Sequence, residues 1–198
     1  MNCFGESFSV AGSMFMKIAI FLLIIIIISS GIVSAGVNRF DESIRDLALR
    51  NNDGALGTAM GGITKLGDGR SALAIGGFLP DDEARYDAFN TIVTPGITVN
   101  IMKAIIGRRR PPGPSDYDHF TTSSTYHAMP SGHTATAFAL ATVIADHYPD
   151  YDWLAYTVAG LVGLSRIFED EHWATDVLAG AAVGYGSARL IDFEIISW

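Results

Sequence analysis

Residues 165–176, SRIFEDEHWATD, set an arginine, four acids and a histidine between two apolar, glycine-containing runs. His172 and Asp176 stand four apart, so one helical turn would place them on one face. Three chemistries compete for this stretch. Glu169, Asp170, Glu171, His172 and Asp176 offer metal ligands, but consecutive acids point in different directions and leave few that converge. A polar helix–helix connection with a capped following helix is the plainest account. In the third, Asp176 bonds one ring nitrogen of His172 and makes the other more nucleophilic.

Two other stretches carry chemistry. In KAIIGRRRP, residues 103–111, Lys103 and Arg110 are seven apart, two helical turns, and are expected to project from nearly one face. Two cations so placed hold different oxygens of one phosphate; a solvated basic helix end is the alternative. Arg108 and Arg109 are expected at the surface or rim. In MPSGHTATAFALA, residues 129–141, Ser131 is an N-cap candidate and Gly132 lets a ligand approach the backbone. The free N–H groups of the helix start make an anion seat, with His133 beside it. An ordinary capped helix is the alternative.

Together the three stretches spell K-x6-RP, PSGH and SR-x5-H-x3-D, in that order, without a substitution. The chain thereby resembles the type 2 phosphatidic acid phosphatase and vanadium haloperoxidase superfamily over about residues 103–190. The resemblance implies that Lys103, Arg110 and Arg166, with Ser131 and the Gly132 backbone, bind phosphate. It implies that His172 attacks phosphorus, that Asp176 orients it, and that His133 protonates the leaving oxygen and then activates water. It implies no metal and no cofactor, since three cations already surround the phosphate; the alternative activity is a haloperoxidase holding vanadate on His172. Glu169, Asp170 and Glu171 are expected to face solvent or to set the field near the pocket. His119 and His127 fall in the 111–130 loop, expected to be solvated, with a place in the pocket lining as the alternative, and His147 ends a helix.

These residues must be carried by helices. Residues 38–50 read as an amphipathic helix with Phe40, Ile44, Leu47 and Ala48 on one face. Residues 51–70 hold at most a short helix, and 71–80 form another, stopped by Pro80. A further helix starts at 81, and Pro95 either begins a new segment or kinks it. Residues 111–130 form a long loop. Apolar helices follow over about 132–147, 153–168 and 173–190. Strand signals are weak, so the fold is an all-α compact helical bundle.

Residues 18–28, IAIFLLIIIII, follow Lys17 and precede SSGIVSAG. They mark 1–35 as a signal peptide cut before Gly36, or as an N-terminal membrane anchor, ahead of a domain at 36–198. Either places the body outside the cytoplasm. The later apolar stretches, about 13–16 residues each, favour a globular body, with a compact multi-span protein as the alternative.

A formal charge of −8 argues against nucleic acid as a partner. One cysteine, Cys3, excludes an intrachain disulfide and a cysteine metal site. The expected activity is hydrolysis of phosphomonoesters or lipid (pyro)phosphates, on a small-molecule or lipid substrate, with membrane association open.

Overall fold

The computed structural model describes residues 34–195. Among them are seven α-helices: α1 Ser34–Arg50, α2 Gly54–Ile63, α3 Gly69–Gly77, α4 Asp82–Ile106, α5 Gly132–His147, α6 Asp152–Phe168 and α7 Ala174–Ile195. Short 3-10 turns occupy Thr64–Gly67, Ser124–Tyr126 and Pro149–Tyr151. The β pairing found among the described residues is one isolated bridge, Arg108 to Tyr117. The expected all-α bundle is the architecture found. The apolar run at 18–28 lies outside the described residues, and the expected cut before Gly36 falls in the first turn of α1.

Residues from Arg39 onward form one compact unit with α5 at its centre, packed on α4, α6 and α7. Small side chains let the helices approach closely. A Cβ added at Gly184 of α7 would lie 2.1 Å from the backbone oxygen of Ala135 in α5. At Gly180 it would lie 2.5 Å from the backbone oxygen of Ser131. These glycines are the ends of the GAAVG stretch, and they press α7 onto the start of α5.

Two expectations about helices need correction. The buried face of α1 carries Asp41 and Ala48, with Ile44 and Arg45 half-buried, while Phe40 and Leu47 are exposed. Asp41 and Arg45 turn inward because each finds an opposite charge there, Arg108 for the first and Asp170 for the second. The expectation that Pro95 begins a new segment fails and the alternative of a continuing helix holds: it is buried inside α4, which runs for 25 residues.

α4 is long and apolar enough to cross a membrane. Its outer face exposes Tyr86, Phe89, Val93, Ile97, Ile101 and Ile105. At 1.5 Å per residue this stripe is about 28 Å long. Polar side chains along the helix fold back on it: the Thr98 hydroxyl donates to the Thr94 carbonyl and the Asn100 amide to that of Gly96. The expected limit of 13–16 apolar residues therefore fails for α4, whose apolar face continues through the threonines.

Candidate active site

Lys103 and Arg110 converge, but not along one helix. α4 ends at Ile106, and Gly107 adopts a left-handed conformation with φ 58°. A Cβ there would lie 1.7 Å from the backbone oxygen of Asp118, so this turn requires glycine. The chain then runs extended: the Arg109 and Arg110 N–H groups donate to the carbonyls of Asp116 and Thr125. The His127 carbonyl gathers the two cations, accepting from Lys103 Nζ at 2.6 Å and from Arg110 Nη2 at 3.4 Å. The loop at 111–130 thus works through its backbone, and its His127 ring bonds the Thr121 carbonyl.

Ser131 occupies the N-cap position of α5, yet its side chain makes no capping bond. Its hydroxyl accepts instead from Thr134 Oγ1 at 2.9 Å, and its N–H donates to the Asp176 carbonyl at 3.0 Å. That backbone bond ties the PSGH turn to the start of α7. At Gly132 a Cβ would meet only Val99, at 3.7 Å, so the space over this backbone is open. His133 follows in the first turn, partly buried, and its Cβ would lie 3.0 Å from one added at Gly67.

Arg166, near the end of α6, is buried and donates to Thr64 Oγ1 at 2.6 Å. The three acids of the connecting stretch each take an arginine: Glu169 pairs with Arg166, Asp170 with Arg45, and Glu171 with Arg110. Glu171 also lies 3.9 Å from Arg166 Nη2, between two of the expected phosphate ligands. The acids do more than face solvent. Lys103 lies within electrostatic reach of both Arg110 and Arg166, and His133 within reach of Arg166, His172 and Lys103.

His172 precedes α7 rather than riding on it, and Asp176 is in the first turn. His172 Nδ1 faces Asp176 Oδ2 at 3.6 Å, too long for a hydrogen bond. Both side chains are buried. Asp176 also caps its own helix, Oδ2 accepting from the Trp173 N–H at 2.8 Å, half of a capping box. Burial drives the His172 imidazole down to about 4, against the pull of Asp176 and with Lys103 and Arg110 adding to the downward push. The ring is therefore neutral at pH 7.

Arg108 corrects the expectation of a surface residue: it is 1% exposed. Its Nη1 donates to Asp176 Oδ1 at 2.7 Å and to Thr175 Oγ1, and its Nη2 to Asp41 Oδ2 at 2.6 Å. Arg109 is the rim residue, 3.6 Å from Asp116 and against the Tyr126 ring. Trp173 is wedged below: its indole N–H donates to the Arg109 carbonyl, and its ring faces Arg45 and Arg108. Asp41, Thr64, Arg108 and Thr175 are the residues that sequence reasoning missed. Asp41 and Arg108 had a signal, charges at positions that must be buried, but no spacing announced their partners. Among the described residues, no group of three or more His, Cys, Asp or Glu is placed to hold a metal ion.

The chain is similar to named proteins over most of its length. It is 37% identical over 155 residues to the lipid A 1-phosphatase of Porphyromonas gingivalis, covering 73% of this chain and 32% of that one. It is 29% identical to phosphatidylglycerophosphatase B of Bacillus subtilis, covering 86% and 90%. The chain spans less than half of the length of the lipid A 1-phosphatases it matches. Its fold is shared with the transmembrane PAP2 type phosphatidylglycerolphosphate phosphatase of Bacillus subtilis, at a TM-score of 0.68 and 24% identity over 92% of this chain and 98% of that one. Aquifex aeolicus LpxE shares it at 0.65 and 21% identity, over 77% and 94%. The PAP2 superfamily profile matches residues 86–191, the segment that holds all three motifs, and the chain belongs to that superfamily.

Proposed function

We propose that this chain is a membrane-embedded lipid phosphatase that removes a phosphate monoester from a lipid headgroup through a phosphohistidine. The observation that carries the reading is the gathering of Lys103, Arg110 and Arg166 around two histidines that burial keeps neutral, one of them backed by a buried carboxylate. The three cations bind the phosphate oxygens, with the Gly132 backbone beneath, and stabilise the charge of the five-coordinate transition state. His172 presents Nε2, the nitrogen turned from Asp176, to phosphorus. The P–N bond forms as the P–O ester bond breaks; His133, held down to about 4 in the free site by burial and Arg166, takes up a proton as the phosphate dianion binds beside it and delivers that proton to the leaving oxygen. Water then attacks the phosphohistidine, giving its proton to His133, and inorganic phosphate departs.

A lipid substrate is supported by the named relatives and by the apolar surface. The α4 stripe is about as long as a bilayer hydrocarbon core is thick. Leu154, Leu161 and Leu164 of α6 and Leu178 of α7 are exposed as well. An apolar cavity of about 300 Å³ between α3, α5 and α6, lined by Leu66, Ile75, Leu140, Ile144, Leu154 and Val158, adds to the apolar surface. A haloperoxidase gains nothing from the lipid A 1-phosphatase and phosphatidylglycerophosphatase relatives.

The deciding experiment measures phosphate release from lipid A, phosphatidylglycerophosphate and p-nitrophenyl phosphate in detergent micelles, with EDTA. Release from a lipid, unaffected by EDTA and inhibited by vanadate, is expected. Activity lost to EDTA and restored by Mg²⁺ or Zn²⁺ would overturn the mechanism. Halide oxidation by the vanadate-loaded protein would overturn the reaction.

Two further results follow from the site. Neutral His172 is the nucleophile, so kcat/KM should hold on the acid side and fall only as pH drops through about 4. A profile that already halves near pH 6.5 would assign the nucleophile elsewhere. Glu171 must leave Arg110 for phosphate to enter. Glu171→Gln should therefore lower KM by about two- to fivefold, as for loss of a partly exposed ion pair, with kcat little changed. A raised KM would mean that Glu171 helps to bind substrate.

A further inference from the structure

We propose that Arg108 and Asp41 are positioning residues for the reaction: a buried Asp41–Arg108–Asp176 chain aims the carboxylate that faces His172 and sets its charge. The inference rests on the reading of His172 as nucleophile.

Arg108 is fully employed. A guanidinium has five N–H donors, and five hydrogen bonds leave this one: Nε and Nη2 to Ser115, Nη1 to Thr175 and Asp176, Nη2 to Asp41. No donor is free to touch a substrate, and the side chain is closed off from solvent. Its fork instead fixes one oxygen of Asp176, while the Trp173 N–H fixes the other. The carboxylate has no freedom to rotate, and the second oxygen is left facing His172.

Asp41 completes the arrangement from a distant part of the chain. Its Oδ1 accepts the Thr175 N–H at 2.9 Å, and its Oδ2 accepts the Thr175 hydroxyl at 2.7 Å as well as Arg108. It thus caps the N-terminus of α7 from α1, adding to the local cap that Asp176 gives the Trp173 N–H. Asp41 also matters for charge. Arg108 alone would cancel Asp176; with Asp41 the three groups together keep one negative charge beside His172. That charge is what steadies the imidazole as it takes on phosphorus and becomes positive. The other charged or titratable groups facing this pair are Lys103 from α4, Arg110 and Tyr117 from the loop, and His133 from α5.

Two links of the chain, Asp41 and Arg108, are tested by variants that each remove one charge, in full-length protein in detergent. Asp41→Asn removes a negative charge; Arg108→Gln removes a positive one. Each should lower kcat by roughly 10- to 100-fold, the loss seen when groups that orient a ligating histidine are removed, with KM and vanadate inhibition within twofold of the parent. The acid limb of kcat/KM should move in opposite directions. Without Asp41 the field at His172 becomes more positive, and the limb shifts to lower pH. Without Arg108 it becomes more negative, and the limb shifts to higher pH. A merely structural role moves neither limb in a charge-dependent way. Parental kcat and an unmoved limb in either variant would sink the proposal, and so would equal shifts of the same sign. If Arg108→Gln does not fold, Asp41→Asn decides alone. His172→Ala run in parallel separates the two readings: an active His172→Ala refutes the phosphohistidine, whereas an inactive one beside fully active Asp41→Asn refutes only the relay.

Discussion

Phosphate release is expected to vanish in His172→Ala, with a loss on the order of 10⁴-fold or more, the scale on which removing the nucleophile of a catalytic unit acts. The reason is chemical, since no other side chain replaces the ring. His133 stands among the same cations but in the first turn of α5, where the carboxylate in its electrostatic reach is Asp68. Substrate binding should survive, because Lys103, Arg110 and Arg166 are held by partners other than His172: the His127 carbonyl, Glu171, and Thr64 with Glu169. Phosphate should therefore still protect the variant against thermal unfolding. Rapid-quench trapping of an acid-labile phosphoprotein in the parent, and its loss in the variant, would give the direct readout. A folded His172→Ala enzyme with a near-normal rate would falsify the nucleophile assignment.

The second large effect concerns stability. Gly184→Val places a side chain where the first added carbon already lies 2.1 Å from the Ala135 oxygen, 2.9 Å from its carbonyl carbon and 3.0 Å from its Cα. All three are backbone atoms of the central helix and cannot swing aside. Relief requires α7 to move off α5, at a cost of about 3 kcal/mol or more. Because Ser131 N–H bonds the Asp176 carbonyl across the same interface, activity should fall with the melting temperature. Gly160→Ala on α6 is the matched control: nothing lies within 4 Å of a Cβ there. It should be neutral or stabilising by up to about 1 kcal/mol through helix propensity. Equal melting temperatures for parent and Gly184→Val would show that the α5–α7 contact is looser than described.

The candidate site is legible in the sequence wherever a side chain's type and its spacing together carry the message. Lys103, Arg110, His133, Arg166, His172 and Asp176 all fall at one end of the bundle, as the three stretches imply. The route to that end is less legible. Lys103 and Arg110 do not share a helix face; Gly107 reverses the chain and a loop carbonyl brings them together. The same reversal decides which of three successive arginines points inward, and no periodicity could have picked Arg108. In α1, apolar spacing favoured the Phe40–Leu47 face, but two ion pairs outweighed it and drew in Asp41 and Arg45. Pairings between residues more than 60 positions apart leave no local trace, and they are what fixes these orientations.

Trp173 extends the usefulness of this arrangement into optics. Its indole is buried, bonded to the backbone of the arginine segment and faced by two guanidinium groups. Trp153 is exposed and distant in sequence, and Trp198 is the only other tryptophan in the chain. Replacing Trp153 and Trp198 by phenylalanine leaves a single emitter beside the Asp41–Arg108–Asp176 chain. Its colour and intensity depend on Arg45 and Arg108, so any shift of that chain can be followed in real time, without a label and without turnover.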